Sequence, residues 1–247
     1  MSTGTAQVSP TARAEIAPTG MLRVGINLGN FLLTSKDPTT GEPRGIAVDL
    51  GHELGRRLGV PVEIIGYPTP GELADAATFG AWDVGFLGAE PQRAKEIDFT
   101  AAYVEIEATY LVPSGSQIKA IADVDRPGIR IAISDRSAYD LYLTRHLKHA
   151  ELIRARGDDV LKRFLSDKLE AMAGLRPGLV KNQASVAGSR ILEGNFTAVQ
   201  QAAGTPKGRP AGAKYLKAFI EDVKASGLVA NLIEKHGVRG LTVAAKA

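Results

Sequence analysis

Residues 80–103 read GAWDVGFLGAEPQRAKEIDFTAAY. Within them, residues 83–87 form a short, mostly apolar run bounded by Gly80 and Gly88, the pattern of a buried strand. A turn follows, and Pro91 stands where the first turn of a helix tolerates a missing N–H and a fixed φ. Arg93 therefore falls just beyond the carboxyl end of a strand, the edge at which open α/β sheets receive ligands. A guanidinium placed there, beside backbone N–H groups, suits a carboxylate or phosphate oxygen. An arginine on a first helical turn is more often a solvated surface residue, so the flanking sequence has to discriminate.

Strand and helix patterns alternate on both sides of this stretch. Residues 22–28 predict a strand, with Phe31 just past the turn at Gly29 and Asn30. Residues 45–58 carry Val48, Leu50, Leu54 and Leu58 at helical spacing, and Gly59 ends that helix. A strand at 61–65, a loop at 66–70 holding Tyr67, and a helix at 72–79 lead back to 83–87. This order predicts a parallel sheet with right-handed crossovers. Beyond it, strands are expected at 105–113, 129–133, 151–154, 169–173, 190–192 and 196–200. Helices are expected at 118–124, 138–147, 158–166, 215–224 and 229–236, with a Gly- and Pro-rich loop at 204–212. Ser137 with Asp140 three residues later opens the 138–147 helix like a capping box. The turn of Ser134, Asp135, Arg136 and Ser137 would then present N–H groups and a second cation.

The bulk properties exclude several classes. The 247 residues carry a formal net charge of +3, with 44% apolar and 23% charged side chains. No run of about eighteen apolar residues could span a bilayer. Basic residues are not interleaved with aromatics, so no nucleic-acid partner is expected. Cysteine is absent, which removes disulfides and thiolate chemistry. His146 and His149 lack a third ligand nearby, so no metal site is expected. No Ser-His-Asp order or phosphate-cradling glycine motif is present, and no cofactor is expected. The opening residues lack a basic start leading into an apolar core, so no signal peptide is read, and residues 1–21 are expected to be a flexible segment.

GIAVDLGHELGRRL at residues 45–58, followed by WDVGFLGAEPQRAKEIDFTAAY at 82–103, resembles solute-binding protein family 3, the receptor subunits of polar amino-acid ABC transporters. The resemblance runs from Leu22 onward. It implies an α/β, two-lobed type II periplasmic-binding-protein fold, each lobe a mostly parallel sheet flanked by helices. Lobe 1 would comprise residues 22–108 and 200–247 and lobe 2 residues 109–199, joined by two hinge crossings. It further implies a small-molecule ligand in an interlobe cleft and an ABC transporter permease as partner. Arg93 takes the place of the family's carboxylate clasp. Backbone groups around Gly88, Ser134 and Ser137 would assist it, with Glu90 in the same loop and Phe31 and Tyr67 as apolar contacts. A monomer working in the periplasm is expected, or in the cytoplasm given the lack of a signal peptide.

Three departures matter. Ala47 stands where the family usually has an acid, and the 83–93 segment is slightly short. Leu175 and Arg176 stand where the family places an aspartate that pairs with a ligand ammonium. The expected ligand is a small carboxylate-bearing molecule, an amino acid or related organic anion, and Arg136 and Arg176 as extra cations favour an anionic one over one with a free ammonium. Two other readings remain compatible with the residues. One is a cleft enzyme of the cyclohexadienyl-dehydratase type with Glu90 or Asp135 as proton donor. The other is a cytoplasmic orphan ligand sensor.

Overall fold

The structure, a computed structural model, describes residues 8–247. The chain divides into two compact units, the first reaching Glu105 and resuming at Gln200, the second spanning Ile106–Val199. Unit 1 begins with α1 (Pro10–Ile16), β1 (Leu22–Asn27), the small antiparallel pair β2 (Ser35–Lys36) and β3 (Pro43–Arg44), α2 (Ile46–Leu58) and β4 (Val62–Tyr67). α3 (Pro70–Ala76), β5 (Val84–Gly88) and the 16-residue β6 (Ile97–Val112) follow, and β6 carries the chain into unit 2. Unit 2 continues with β7 (Arg130–Ser134), α4 (Ala138–His146), β8 (Glu151–Ala155), α5 (Asp159–Ser166), β9 (Ala171–Leu175), α6 (Arg176–Gln183) and β10 (Arg190–Ile191). β11 (Thr197–Pro206) returns to unit 1, which closes with α7 (Pro210–Ala225), α8 (Leu228–Lys235) and β12 (Thr242–Val243).

In unit 1 the strands lie in the order β4-β1-β5-β11, the first three parallel and β11 antiparallel. In unit 2 the order is β6-β9-β7-β8, with β6 antiparallel to a parallel trio. Each sheet is thus mostly parallel, as its apolar runs predict. The period of two divides the core of unit 2 between both faces. Ile131, Ile133, Ala171, Ala173 and Tyr110 join one cluster, while Ala132, Met172 and Leu111 join another with Phe164 and Leu179.

Four expectations need correction. Residues 10–16 of the supposed flexible segment are helical; Ser9 caps α1 and Ala12 and Ile16 are buried. Gly212 of α7 donates its N–H to Glu15 at 2.7 Å, and a Cβ there would meet Ile16 at the same distance, so α1 is packed down. Residues 1–7 of that segment lie outside the described residues. β6 starts at Ile97, well before the expected position 105, because residues 97–104 also pair across the sheet: Thr100 Oγ1 accepts from Ala203 N–H at 3.2 Å. The loop expected at 204–212 is mostly the end of β11 and the start of α7, whose first turn takes Pro210. α6 occupies residues for which no helix was expected.

Trp82 shows how sequence becomes packing in unit 1. The indole is fully buried and donates to the Leu73 carbonyl at 2.9 Å. Gly25 and Gly85 are register partners in β1 and β5, and a Cβ on either would stand 3.0 Å or less from the indole or from Leu73. The paired glycines form a flat floor that no larger residue could leave open. Next to it, Asp83 has no solvent exposure and accepts from Arg23 N, Nε and Nη2 and from Arg209 Nη1, at 2.8–3.1 Å.

On α2, Glu53 receives Arg56 and Arg57, and Arg57 continues to Asp222 on α7 while its guanidinium lies 5.1 Å from the Phe219 ring centre. The hydrogen bond from Arg56, helped by Arg57 and opposed by burial, holds the Glu53 carboxyl down at about 2. Among the described residues no helix is long and apolar enough to cross a membrane.

Asp83→Ala leaves two arginines around a vacated buried site and should destabilise the protein by about 3–5 kcal/mol, read as a lower urea midpoint. Glu53 titrates in the folded protein below its ordinary 4.5. Its stabilisation is therefore complete above that pH and disappears as pH falls through about 2. Glu53→Gln should lower stability at neutral pH and flatten the acid limb of the stability profile, followed by circular dichroism.

Candidate functional site

In unit 1 the candidate residues gather at the carboxyl ends of β1, β4 and β5, three neighbouring parallel strands. Asn27, the last residue of β1, pairs in register with Tyr67, the last of β4. The chain then turns tightly: Asn27 Oδ1 accepts from Gly29 N–H at 3.0 Å, and the buried Asn30 accepts from Leu32 N–H at 3.2 Å. A Cβ on Gly29 would lie 2.9 Å from the Pro68 carbonyl, so the loops after β1 and β4 touch. Phe31 stands on this turn with 53% of its surface exposed, while Tyr67 is half-buried.

β5, buried along its whole length, ends at Gly88. The chain reverses through Ala89 and the half-buried Glu90 into a 3-10 turn, Arg93–Lys95. This replaces the helix expected from Pro91. Arg93 is only 5% exposed and donates from Nη1 to the Gly88 carbonyl at 2.7 Å. The surface reading of Arg93 is thereby removed: its guanidinium is folded back over the end of its own strand. Around Gly88 the N–H expectation changes too, since Ala89 N–H is engaged by the Gln200 carbonyl at 2.8 Å. Gly88 contributes a carbonyl that seats the arginine.

In unit 2 the candidates lie at the carboxyl ends of the adjacent strands β7 and β9. Ser134 ends β7, and Ser137 is the N-cap of α4, accepting from Asp140 N–H at 3.1 Å. Arg136 takes the left-handed region at φ 55, unusual for a residue with a Cβ. Its N–H donates to Asp140 Oδ2 at 2.7 Å, and the 2%-exposed Asp140 is further held by Arg154. The turn was expected to offer its N–H groups outward. Instead those of Asp135, Arg136 and Ser137 go to Ala155, Asp140 and Ser134.

Leu175 ends β9 and caps α6, and Arg176 is that helix's first residue. The Arg176 Nε–H donates to Glu107 Oε2 at 2.6 Å and its Nη2–H to the Gly194 carbonyl. The expectation of Arg176 as an added cation for the ligand is corrected: its charge is already matched by Glu107.

Sequence reasoning missed Glu107 and Tyr139. Burial pushes the Tyr139 hydroxyl's pKa up, and hydrogen bonds with the Ser137 and Ser134 side chains work against that. Its place two residues after Ser137, on the first turn of α4, was the available signal. Glu107 offered none, as its partner is 69 residues away. His146 stacks on Tyr142 with ring centres 3.9 Å apart. No cluster of three or more metal-ligating side chains occurs among the described residues.

Solved structures share this architecture. The ancestral amino acid-binding protein AncCDT-1, a precursor of cyclohexadienyl dehydratase, is 23% identical over 90% of this chain and 97% of its own, with a TM-score of 0.74. A mutant of ArgBP from T. maritima is 22% identical over 91% and 98%, TM-score 0.74. The putative ABC transporter binding component of Wolinella succinogenes DSM 1740, complexed with lysine, is 21% identical over 88% and 95%, TM-score 0.74. No curated protein sequence matches the chain. These likenesses establish the type II periplasmic-binding-protein fold. The family model for bacterial extracellular solute-binding proteins, family 3, matches residues 22–239, and the chain belongs to that family.

Proposed function

We propose that this solute-binding protein takes up a small carboxylate-bearing solute through Arg93 and hands it to an ABC transporter permease. The observation that carries the reading is the placement of Arg93: 5% exposed, anchored on the Gly88 carbonyl, at the carboxyl end of a fully buried strand. A guanidinium presents five N–H donors in a planar fork, the shape that grips a carboxylate through two parallel bonds. Holding it against the end of β5 removes rotamer freedom before the solute arrives, which strengthens binding. Phe31, exposed on the loop that touches the one following Tyr67, offers an apolar surface at the same strand edge.

The role is binding without turnover. Of the two acids considered for proton donation, Asp135 is tied to Arg156 at 3.6 Å and serves the turn after β7. Solved relatives titled as arginine-bound, lysine-complexed or amino acid-binding support an amino acid or related organic acid as the solute class. Family membership supports work outside the cytoplasmic membrane, and a monomeric receptor is sufficient for it.

The test is thermal-shift screening of L-amino acids and small mono- and dicarboxylates, followed by calorimetry on the best binder. Arg93→Ala should weaken that binder by about 2–5 kcal/mol. Arg93→Lys, which keeps the charge and loses the fork, should also bind markedly less tightly. Unchanged affinity in a folded Arg93→Ala protein would sink the assignment.

A further inference from the structure

We propose that Gln201 of β11 is a second solute-binding residue of unit 1, whose side-chain amide pairs with an uncharged hydrogen-bonding group of the solute, a hydroxyl or a carboxamide. The inference rests on Arg93 as the carboxylate holder and adds a second group that the solute carries.

The ladder between β5 and β11 puts Gln201 beside Arg93. Ala89 N–H donates to the Gln200 carbonyl at 2.8 Å, so these two residues form a hydrogen-bonded antiparallel pair. The next pair in register, Gly88 with Gln201, is therefore a non-hydrogen-bonded one, in which the α-carbons approach most closely and side chains share a face. Gly88 turns its own carbonyl away from β11, and Arg93 Nη1 meets that carbonyl at 2.7 Å. Arg93 and Gln201 thus flank a single residue at the carboxyl end of β5, all three within unit 1. Gly88 brings no side chain to the face on which Gln201 stands.

Gln201 is 5% exposed, and among the described residues its side-chain amide has no hydrogen-bond partner. The side-chain groups sealed from solvent without a partner are on Thr34, Tyr103, Thr205 and Glu221. Gln201 is not one of them, so its amide reaches the surface through the little area left open. Ala202, Ala203 and Gly204, which follow it in β11, are buried and carry no polar side chain. A long amide at the end of such a run is a departure from what packing requires.

A primary amide donates through Nε2, accepts through Oε1 and has no net charge. A hydroxyl or a carboxamide can use both atoms. A methyl group uses neither and leaves the amide covered and unpaired, which costs affinity. A charged group gains no counter-charge from it.

Calorimetry on the full chain with pairs of equal shape tests this: lactate and isobutyrate, L-threonine and L-valine, L-asparagine and L-leucine. In the pair that binds most tightly, the polar member should bind about tenfold or more tighter than its apolar counterpart. Gln201→Leu should reduce that ratio to near one. Its melting temperature without solute should not fall, because no protein group depends on the amide. Should the branched side chain lower it by crowding, Gln201→Met, unbranched and of similar length, is read in its place.

Equal binding within the tightest pair overturns the inference and leaves the Arg93 reading intact. So does a ratio that the Gln201 variants do not move, the result for an amide that only water satisfies. Binding of no probe, or full binding by Arg93→Ala, overturns both.

Discussion

Asp83 has no access to water, and unit 1 is arranged around satisfying it. Its carboxylate accepts the Arg23 backbone N–H, two bonds from the Arg23 guanidinium and one from Arg209. A lone charge at that depth would be strongly destabilising, and the two cations with the backbone donor offset it. The cluster joins the entry of β1, the residue before β5 and the N-cap of α7. Because β1 and β5 run parallel in the register Val24 to Val84, fixing where they enter fixes where they leave. The strand ends that carry Asn27, Phe31, Gly88 and Arg93 thus depend on an ion cluster at the opposite edge of the sheet.

Arginine performs similar work elsewhere. Arg57 joins α2 to α7, Arg154 holds the buried Asp140, Arg176 spans β6 and the loop before β11, and Arg190 ties to the carbonyls of Ser116 and Ile118.

Much of the architecture was legible because its signals are local. Apolar runs such as residues 84–88 and left-handed glycine caps such as Gly59 and Gly80 mark strands and helix ends without knowledge of their neighbours. α6 escaped notice because Arg-Pro-Gly at its start reads as a loop, and α1 because the Ser-Pro opening at Ser9 and Pro10 was outweighed by small polar neighbours. At the candidate site, the position of Arg93 could be read, but its burial could not. Burial follows from the tight reversal that brings its guanidinium back to the Gly88 carbonyl. The true state of Arg176 was hidden for a different reason: its balancing acid and its carbonyl lie 69 and 18 residues away.

The division of unit 1 around an uninterrupted unit 2 sets an order of assembly as the chain is made. Residues 106–199 emerge as one stretch with nearby partners, whereas unit 1 must wait for its closing helices. Asp83 meets Arg209 across 126 residues, Arg57 meets Asp222 across 165, and Glu15 meets Gly212 across 197. Contacts so far apart require large loops to close before they stabilise anything. The part synthesised first is therefore completed last, and its buried carboxylate lacks one of its two counter-charges until the ribosome has passed residue 209.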